Sequence, residues 1–175
     1  MKRDERIAMF EEKMPEAWKD TNIVEKLAGI GYFDEPASVK RHGAYEGGLF
    51  MHSYQVALEL MKLTERNRLE WQRKESPFIV GVFHDLCKTD FYEKDENGLY
   101  TYKKDTLFQG HGEKSVMIAS TIMQLTEEEA ACICYHMGAF RQEDQWKDYT
   151  NAIHAYPNVL WTHTADMIAA HIYGV

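Results

Sequence analysis

One apolar segment constrains the fold of this 175-residue chain more than any other feature. Residues 78–83 carry no polar side chain, and they follow Ser76 and Pro77, which favour the N-cap and the first turn of a helix. A helix that is apolar on every side has to be buried on every side. We therefore predict a central helix that runs to about Lys88, with the other elements of the chain packed around it.

The remaining segments have mostly helical spacing, with turn signals between them. Thr126 and Glu129 form a capping box that opens one of these helices. Asn97 and Gly98 lie between two aromatic-rich segments and predict a β-hairpin at about residues 91–103. Further helices are predicted at residues 4–13, 22–28, 49–68, 112–125, 126–138 and 157–173. The sequence therefore predicts an all-α bundle with a small inserted β-hairpin.

Composition and charge narrow the class of protein. The length fits a single domain over residues 1–175, and 20 basic against 28 acidic residues give a net charge of −8. An acidic chain has no long-range attraction for a polynucleotide, so we do not expect a duplex nucleic acid as partner. No apolar run approaches the roughly 18 residues of a membrane span, and no signal peptide is recognisable. Three cysteines in two groups fit no disulfide framework, so we expect a reducing, cytoplasmic location.

Eight histidines stand out, because imidazole is a common metal ligand. The predicted elements bring several of them, with two aspartates, to places where helices of a bundle face each other. These residues are His52, His84, Asp85, His111, His136 and Asp166. Imidazole and carboxylate groups bind zinc, manganese, iron and nickel. On a regular helix His84 and Asp85 point roughly 100° apart, so we do not expect them to face one ion equally. The spacing alone leaves a metal site and a set of structural core histidines as alternatives.

Five short blocks surround these six residues. They are Gly47-Gly48-Leu49-Phe50-Met51-His52-Ser53, Phe83-His84-Asp85-Leu86-Cys87-Lys88, Gly110-His111-Gly112, Tyr135-His136-Met137-Gly138 and Thr164-Ala165-Asp166-Met167. In this order, H…HD…H…H…D, they resemble the six-ligand branch of the HD-domain superfamily of metal-dependent phosphohydrolases. The resemblance spans about residues 37–170. The segment before the first block is also similar to small bacterial and phage HD proteins and to the HD domain of bacterial 3′-to-5′ exoribonucleases.

The resemblance implies an HD core over residues 37–172, with a helical extension over residues 1–36. It also implies two divalent transition-metal ions, chosen from Fe, Mn, Ni, Co and Zn. One ion would be held by His52, His84, Asp85 and Asp166, and the other by Asp85, His111 and His136. Asp85 is then the bridging ligand and a catalytic residue, and the nucleophile is a water between the two ions.

The expected function is hydrolysis of a phosphoester in a nucleotide or short oligonucleotide. Lys88, three residues after Asp85, is expected to bind a phosphate oxygen and to act in catalysis, with a solvated helix-end lysine as the alternative. Arg41 and His42, in the preceding loop, are expected substrate contacts. Tyrosines of the hairpin, such as Tyr102, fit base stacking or core packing equally well.

Two other functions stay open at the level of sequence. Some HD proteins with the same ligands are di-iron oxygenases, here acting on a small polar substrate, and others are non-catalytic nucleotide sensors. The expected partner is a small phosphorylated molecule, and no membrane is expected. The sequence leaves open whether the chain forms a homo-oligomer.

Overall fold

A computed structural model describes residues 1–41, 43–106, 110–138 and 145–175. Within these ranges the chain forms eight α-helices and one two-stranded antiparallel sheet. The helices are α1 (Arg3–Lys13), α2 (Ile23–Gly29), α3 (Gly48–Asn67), α4 (Ser76–Phe83), α5 (His111–Ile122), α6 (Glu127–Tyr135), α7 (Trp146–Ala155) and α8 (Asn158–Ile168). The strands are β1 (Tyr92–Lys94) and β2 (Tyr100–Tyr102). The prediction of an all-α fold with a small inserted hairpin is confirmed. No described helix has the length and apolar character that a membrane crossing requires.

The apolar helix α4 lies at the centre of the bundle, and every one of its residues is buried. It packs along α3 and also contacts α5, α6 and α8. Gly81 makes the close approach to α3 possible, since a Cβ at this position would overlap the backbone of Ala57. The burial of α4 follows from its lack of any polar face.

The predicted course of this central helix is wrong at both ends. Its α-helical part ends at Phe83, and after a two-residue turn a 3₁₀-helix covers Leu86–Asp90. Ser76 is the first helical residue rather than the N-cap, and its hydroxyl donates 2.8 Å to the buried carboxylate of Glu129. The physical reason is that a buried carboxylate needs donors, and this one takes the hydroxyl that would otherwise cap α4.

The hairpin and the capping box are confirmed. Strand β1 pairs with β2 so that Glu93 lies opposite Thr101. Asp95 closes the turn by accepting two backbone N–H groups, and Gly98 adopts a positive φ of 77°. In α6 the hydroxyl of Thr126 accepts the N–H of Glu129 at 3.2 Å, and the Glu129 carboxylate accepts the N–H of Thr126 at 2.9 Å.

Two helical segments differ from the prediction. Helix α7 was not predicted, although Tyr149, Ala152 and Ile153 have helical spacing and pack against the core. The last predicted helix continues as an α-helix only to Ile168, and Ala169–Tyr173 form a π-helix. Such local widening of a helix is frequent at functional sites.

The first helix is more deeply integrated than the surface helix that its charged sequence predicts. Phe10 is fully buried, and its ring contacts those of Trp18, Phe33 and Phe78. Arg6 is also buried, and its guanidinium donates to the carbonyl of Met1 at 2.6 Å. Residues before position 37 therefore complete the hydrophobic core around α4.

The contact between α3 and α4 gives the first prediction. Gly81→Ala should lower the free energy of unfolding by about 1–3 kcal/mol, because the added methyl group overpacks the interface. Urea unfolding followed by circular dichroism measures this change. Gly29→Ala is the matched control, since nothing lies within 4 Å of its added Cβ. That variant should be neutral or up to about 1 kcal/mol more stable, and an equal loss in both would contradict the packing argument.

Candidate metal centre

The six predicted ligands meet where α4 ends. His84 and Asp85 form the turn after α4, His52 lies in the first half of α3, and His111 begins α5. His136 follows α6 directly, and Asp166 lies in α8. Four of the six residues are almost fully buried, while the side chains of His111 and Asp166 are 26% and 16% exposed. The more open pair therefore marks the side from which the cluster can be reached.

The carboxylate of Asp85 lies at the centre of the cluster, and its two oxygens face different histidines. Oδ2 lies 3.5 Å from Nε2 of His52 and 3.3 Å from Nε2 of His84. Oδ1 lies 2.7 Å from Nε2 of His111 and 3.5 Å from Nε2 of His136. One carboxylate thus separates two pairs of imidazole nitrogens.

The turn after α4 explains why adjacent residues can both reach the cluster. Asp85 leaves the helical conformation, with φ −110° and ψ 17°. The expectation that His84 and Asp85 diverge by roughly 100° on a regular helix is therefore wrong for this chain. Their side chains converge, because the backbone changes direction between them.

Asp166 completes the side of the cluster that holds His52 and His84. Its Oδ1 lies 3.1 Å from Nε2 of His52 and 3.9 Å from Nε2 of His84. Three sets of ligand atoms each lie within 4.8 Å of one another, and each set can hold a metal ion. The sets are His52, His84 and Asp85; His84, His136 and Asp166; and Asp85, His111 and His136.

In three of the histidines, Nδ1 is the ring nitrogen that points away from the cluster, and it contacts a backbone oxygen. These contacts determine which ring nitrogen is left to bind a metal. Nδ1 of His84 lies 2.8 Å from the carbonyl of Gly81, and Nδ1 of His136 lies 2.7 Å from that of Ile133. Nδ1 of His52 has a carbonyl 2.9 Å away as well. A backbone oxygen only accepts, so each Nδ1 carries a proton, and Nε2 is the nitrogen of each ring that can bind a metal. The fourth ligand differs, because Nδ1 of His111 contacts Sγ of Cys87 at 3.1 Å.

The donor set fits a cation. Nε2 of His52 and Nε2 of His84 lie 3.2 Å apart. Among the residues that the structure describes, Nε2 of His136 is a buried atom without a hydrogen-bond partner, and Oδ1 of Asp85 lies 3.5 Å from it. Buried polar atoms are rarely left in this state. A divalent ion would satisfy them together, because nitrogen and carboxylate oxygen are its ordinary ligands.

Electrostatics keep these residues in the forms that bind a metal. Burial opposes ionisation of Asp85, but Lys88, His84 and His111 together hold the pKa of its carboxyl well below the usual range. Burial also opposes ionisation of Asp166, and the hydrogen bond with His52 and the nearby imidazoles outweigh it and lower that pKa. Burial lowers the pKa of His111. At neutral pH both carboxylates are therefore charged and the His111 ring is neutral.

Lys88 lies beside the cluster rather than in solvent. Its side chain is 13% exposed, and Nζ lies 2.6 Å from Oδ2 of Asp85. Burial acts to lower the pKa of Lys88, but the Asp85 carboxylate outweighs it and raises this pKa. The two side chains meet because residues three apart eclipse each other in the 3₁₀-helix.

An open cleft of ≈ 430 Å³ leads to the cluster. Arg41 lies on its wall, so this predicted substrate contact shares the cleft with Lys88, whereas His42 lies outside the described residues. The cleft also includes residues that the sequence did not indicate as site residues, among them Ser38, Met137 and His171. Only one of these left a signal in the sequence: His171 follows Asp166 by five residues, the repeat that a π-helix brings to one side.

Comparisons with protein-family profiles, with curated proteins and with solved structures find no match for this chain. Any functional assignment therefore depends on the chain's own residues and geometry.

The central position of Asp85 gives a second prediction. Asp85→Ala should lower the amount of metal that co-purifies with the protein by at least one equivalent, because it removes the oxygens that both histidine pairs face. Metal analysis of the folded variant measures this. Asp20→Ala, at an exposed position, is the control and should keep the parent's metal content. Full metal content in Asp85→Ala would contradict a metal-binding role for the cluster.

Proposed function

We propose that this protein is a metal-dependent phosphohydrolase that cleaves a phosphoester of a nucleotide or short oligonucleotide. The observation that carries the proposal is the carboxylate of Asp85, which lies between two histidine pairs and beside a largely buried lysine at the base of an open cleft. The proposal agrees with the resemblance of the five ligand blocks to HD-type phosphohydrolases.

In the proposed enzyme these side chains would hold two divalent ions. Asp85 would contribute to both, with His52, His84 and Asp166 at one ion and with His111 and His136 at the other. The support is that each oxygen already faces its own imidazole pair. Six ligands around two ions leave positions for water and substrate, and this donor set suits Fe, Mn, Ni, Co and Zn. When bound, such ions supply a water that is ionised at neutral pH and offset negative charge on the phosphoryl oxygens.

Lys88 is proposed to bind a phosphoryl oxygen of the substrate. Its ammonium lies 2.6 Å from Oδ2 of Asp85, and its burial raises the strength of any charge interaction that it makes. A cation shared by Asp85 and the histidines would compete with Nζ for this oxygen. The ammonium would then be available to an anion in the cleft that it lines, where Arg41 supplies a second positive charge.

The aromatic side of the cleft supports a nucleotide as the substrate. Phe91, Tyr92 and Tyr102 line the cleft together with Lys88. Tyr92 is buried and its hydroxyl donates to the carbonyl of Ala37 at 3.3 Å, so it anchors the hairpin. Tyr102 is 63% exposed and its ring contacts that of Tyr92, so the two tyrosines form an aromatic surface on which a flat group could stack. Stacking of a base on an aromatic side chain contributes about 1–3 kcal/mol.

The proposal is tested by assaying nucleotides, short oligonucleotides and bis-p-nitrophenyl phosphate with Mn²⁺, Ni²⁺, Co²⁺ and Fe²⁺. Phosphoester cleavage that disappears in Asp85→Ala supports it. Nucleotide binding without cleavage under any of these metals would instead indicate a sensor. Oxygen uptake by anaerobically purified, iron-loaded protein, with the spectrum of a mixed-valent di-iron centre and no cleavage, would indicate an oxygenase.

The third prediction concerns Lys88. Lys88→Ala should lower kcat/KM about ten- to 150-fold, which corresponds to the loss of one charge-assisted contact of about 1.5–3 kcal/mol. Metal content should not change, and Lys88→Arg should recover only part of the activity, because a planar fork does not replace a point charge. Lys104→Ala, at an exposed position, is the control. Parental kcat/KM in Lys88→Ala would exclude a role for the ammonium in the reaction.

The fourth prediction concerns the base. Tyr102→Ala should lower kcat/KM for the best nucleotide substrate about five- to 150-fold, the equivalent of the roughly 1–3 kcal/mol from one stacked base. The rate with the corresponding base-free sugar phosphate should stay unchanged, and Tyr102→Phe should keep most of the activity. Equal losses with both substrates would show that Tyr102 only supports the fold of the hairpin.

A further inference from the structure

The residues after α8 return to the metal cluster. The π-helix Ala169–Tyr173 is followed by Gly174, whose positive φ of 73° turns the chain, and by Val175, whose N–H donates to the carbonyl of Ala169 at 3.3 Å. We call residues 169–175 the strap. The hydroxyl of Tyr173 donates to the carboxylate of Glu59 at 3.3 Å, so the strap is held against α3.

The strap supplies the backbone oxygen that His52 contacts. Nδ1 of His52 lies 2.9 Å from the backbone oxygen of Val175, across 123 positions of the sequence. The imidazole is almost fully buried, and Val175 packs against the hydrophobic core. This contact therefore joins a metal-binding side chain of α3 to the segment that follows Asp166 in α8.

The position of His52 in its helix explains why a distant carbonyl is needed. His84 and His136 directly follow helices, and their Nδ1 atoms contact the carbonyls of Gly81 and Ile133, three residues earlier. The last four carbonyls of a helix have no partner inside the helix, so they can accept from an imidazole. His52 is the fifth residue of the 20-residue helix α3, where the neighbouring carbonyls are already used by the helix itself.

We infer that the strap is a positioning element for the metal site. The backbone oxygen of Val175 accepts a hydrogen bond from Nδ1 of His52 and so holds the ring with Nε2 towards Asp85 and Asp166. Residues that hold the outer nitrogen of a metal-binding histidine typically change metal affinity 10- to 100-fold when removed. The inference depends on the cluster as a metal site and is independent of the reaction that the protein catalyses.

The first measurement is the exchange of the His52 Nδ1 proton with solvent in Zn²⁺-loaded protein, from long-range ¹H–¹⁵N correlation spectra of the histidine side chains. In the parent this proton should be protected by the contact with Val175. A variant that lacks Gly174 and Val175 should lose this protection at His52, while the Nδ1 protons of His84 and His136 keep theirs. Unchanged protection of the His52 proton in the shortened protein would overturn the inference, and this result does not require a known substrate.

The second measurement is Zn²⁺ affinity, determined by competition with a chromophoric chelator. Removal of Gly174 and Val175 should weaken one equivalent of Zn²⁺ about 10- to 100-fold, with the other equivalent much less affected. Val175→Ala is the matched control, because it keeps the backbone carbonyl and removes only apolar packing; its Zn²⁺ affinity should stay within about twofold of the parent. If Val175→Ala lost as much Zn²⁺ affinity as the shortened protein, the apolar packing of Val175, and not its backbone oxygen, would determine the affinity.

Gly174→Ala covers the case in which the shortened protein does not fold. No atom lies within 4 Å of the added Cβ, so the substitution acts only through the strained left-handed backbone. It should loosen the strap, reduce the protection of the His52 Nδ1 proton in Zn²⁺-loaded protein, and lower Zn²⁺ affinity by a smaller factor than removal of both residues. A folded Gly174→Ala protein with parental protection and parental affinity, together with a shortened protein that does not fold, would overturn the inference.

Discussion

The structure depends on one buried charge, the carboxylate of Asp85. A buried carboxylate is stable only when it is paired and hydrogen-bonded, because the protein interior replaces water poorly as a solvent for ions. Here Lys88 lies 2.6 Å from one oxygen, and Nε2 of His111 lies 2.7 Å from the other. Helices α3 and α8 and the ends of α5 and α6 bring the remaining ligand side chains to the same place, at the end of α4.

The central helix has to be apolar to form the core, whereas the site needs polar side chains. In this chain the two requirements are met by consecutive segments, the apolar helix α4 and the turn that follows it. Residues Ser76–Phe83 are buried on all sides and give the bundle its apolar centre. The helical geometry then stops, and the next two residues turn their polar side chains into the cluster. Had the α-helix continued, His84 and Asp85 would point in different directions. His84 still has helical angles and Asp85 does not, so the departure of Asp85 from the helix is what allows these neighbours in sequence to act on the same site.

The positive charge around the cleft is local. The chain as a whole is acidic, with a net charge of −8, yet Lys88 and Arg41 both line the approach to the cluster. A small anion that enters the cleft interacts mainly with groups within a few ångströms, since salt screens more distant charges beyond about 8 Å. The overall charge thus disfavours a long polyanion, and under the proposed function Lys88 and Arg41 would supply the positive charge that faces a small phosphorylated substrate.

The sequence by itself determined the elements whose cause is local. The apolar run of α4, the capping box at Thr126 and the Asn97-Gly98 turn each act within a few residues, and all three appear as predicted. The motif blocks also identified the six residues that the fold brings together.

Tertiary structure decided the features that depend on contacts between residues far apart in the sequence. Glu129 took the hydroxyl of Ser76 away from its capping position, and the demands of the cluster ended α4 early. The contact of His52 with the carbonyl of Val175 spans 123 positions, and a separation of that length leaves no periodicity in a sequence from which it could be inferred.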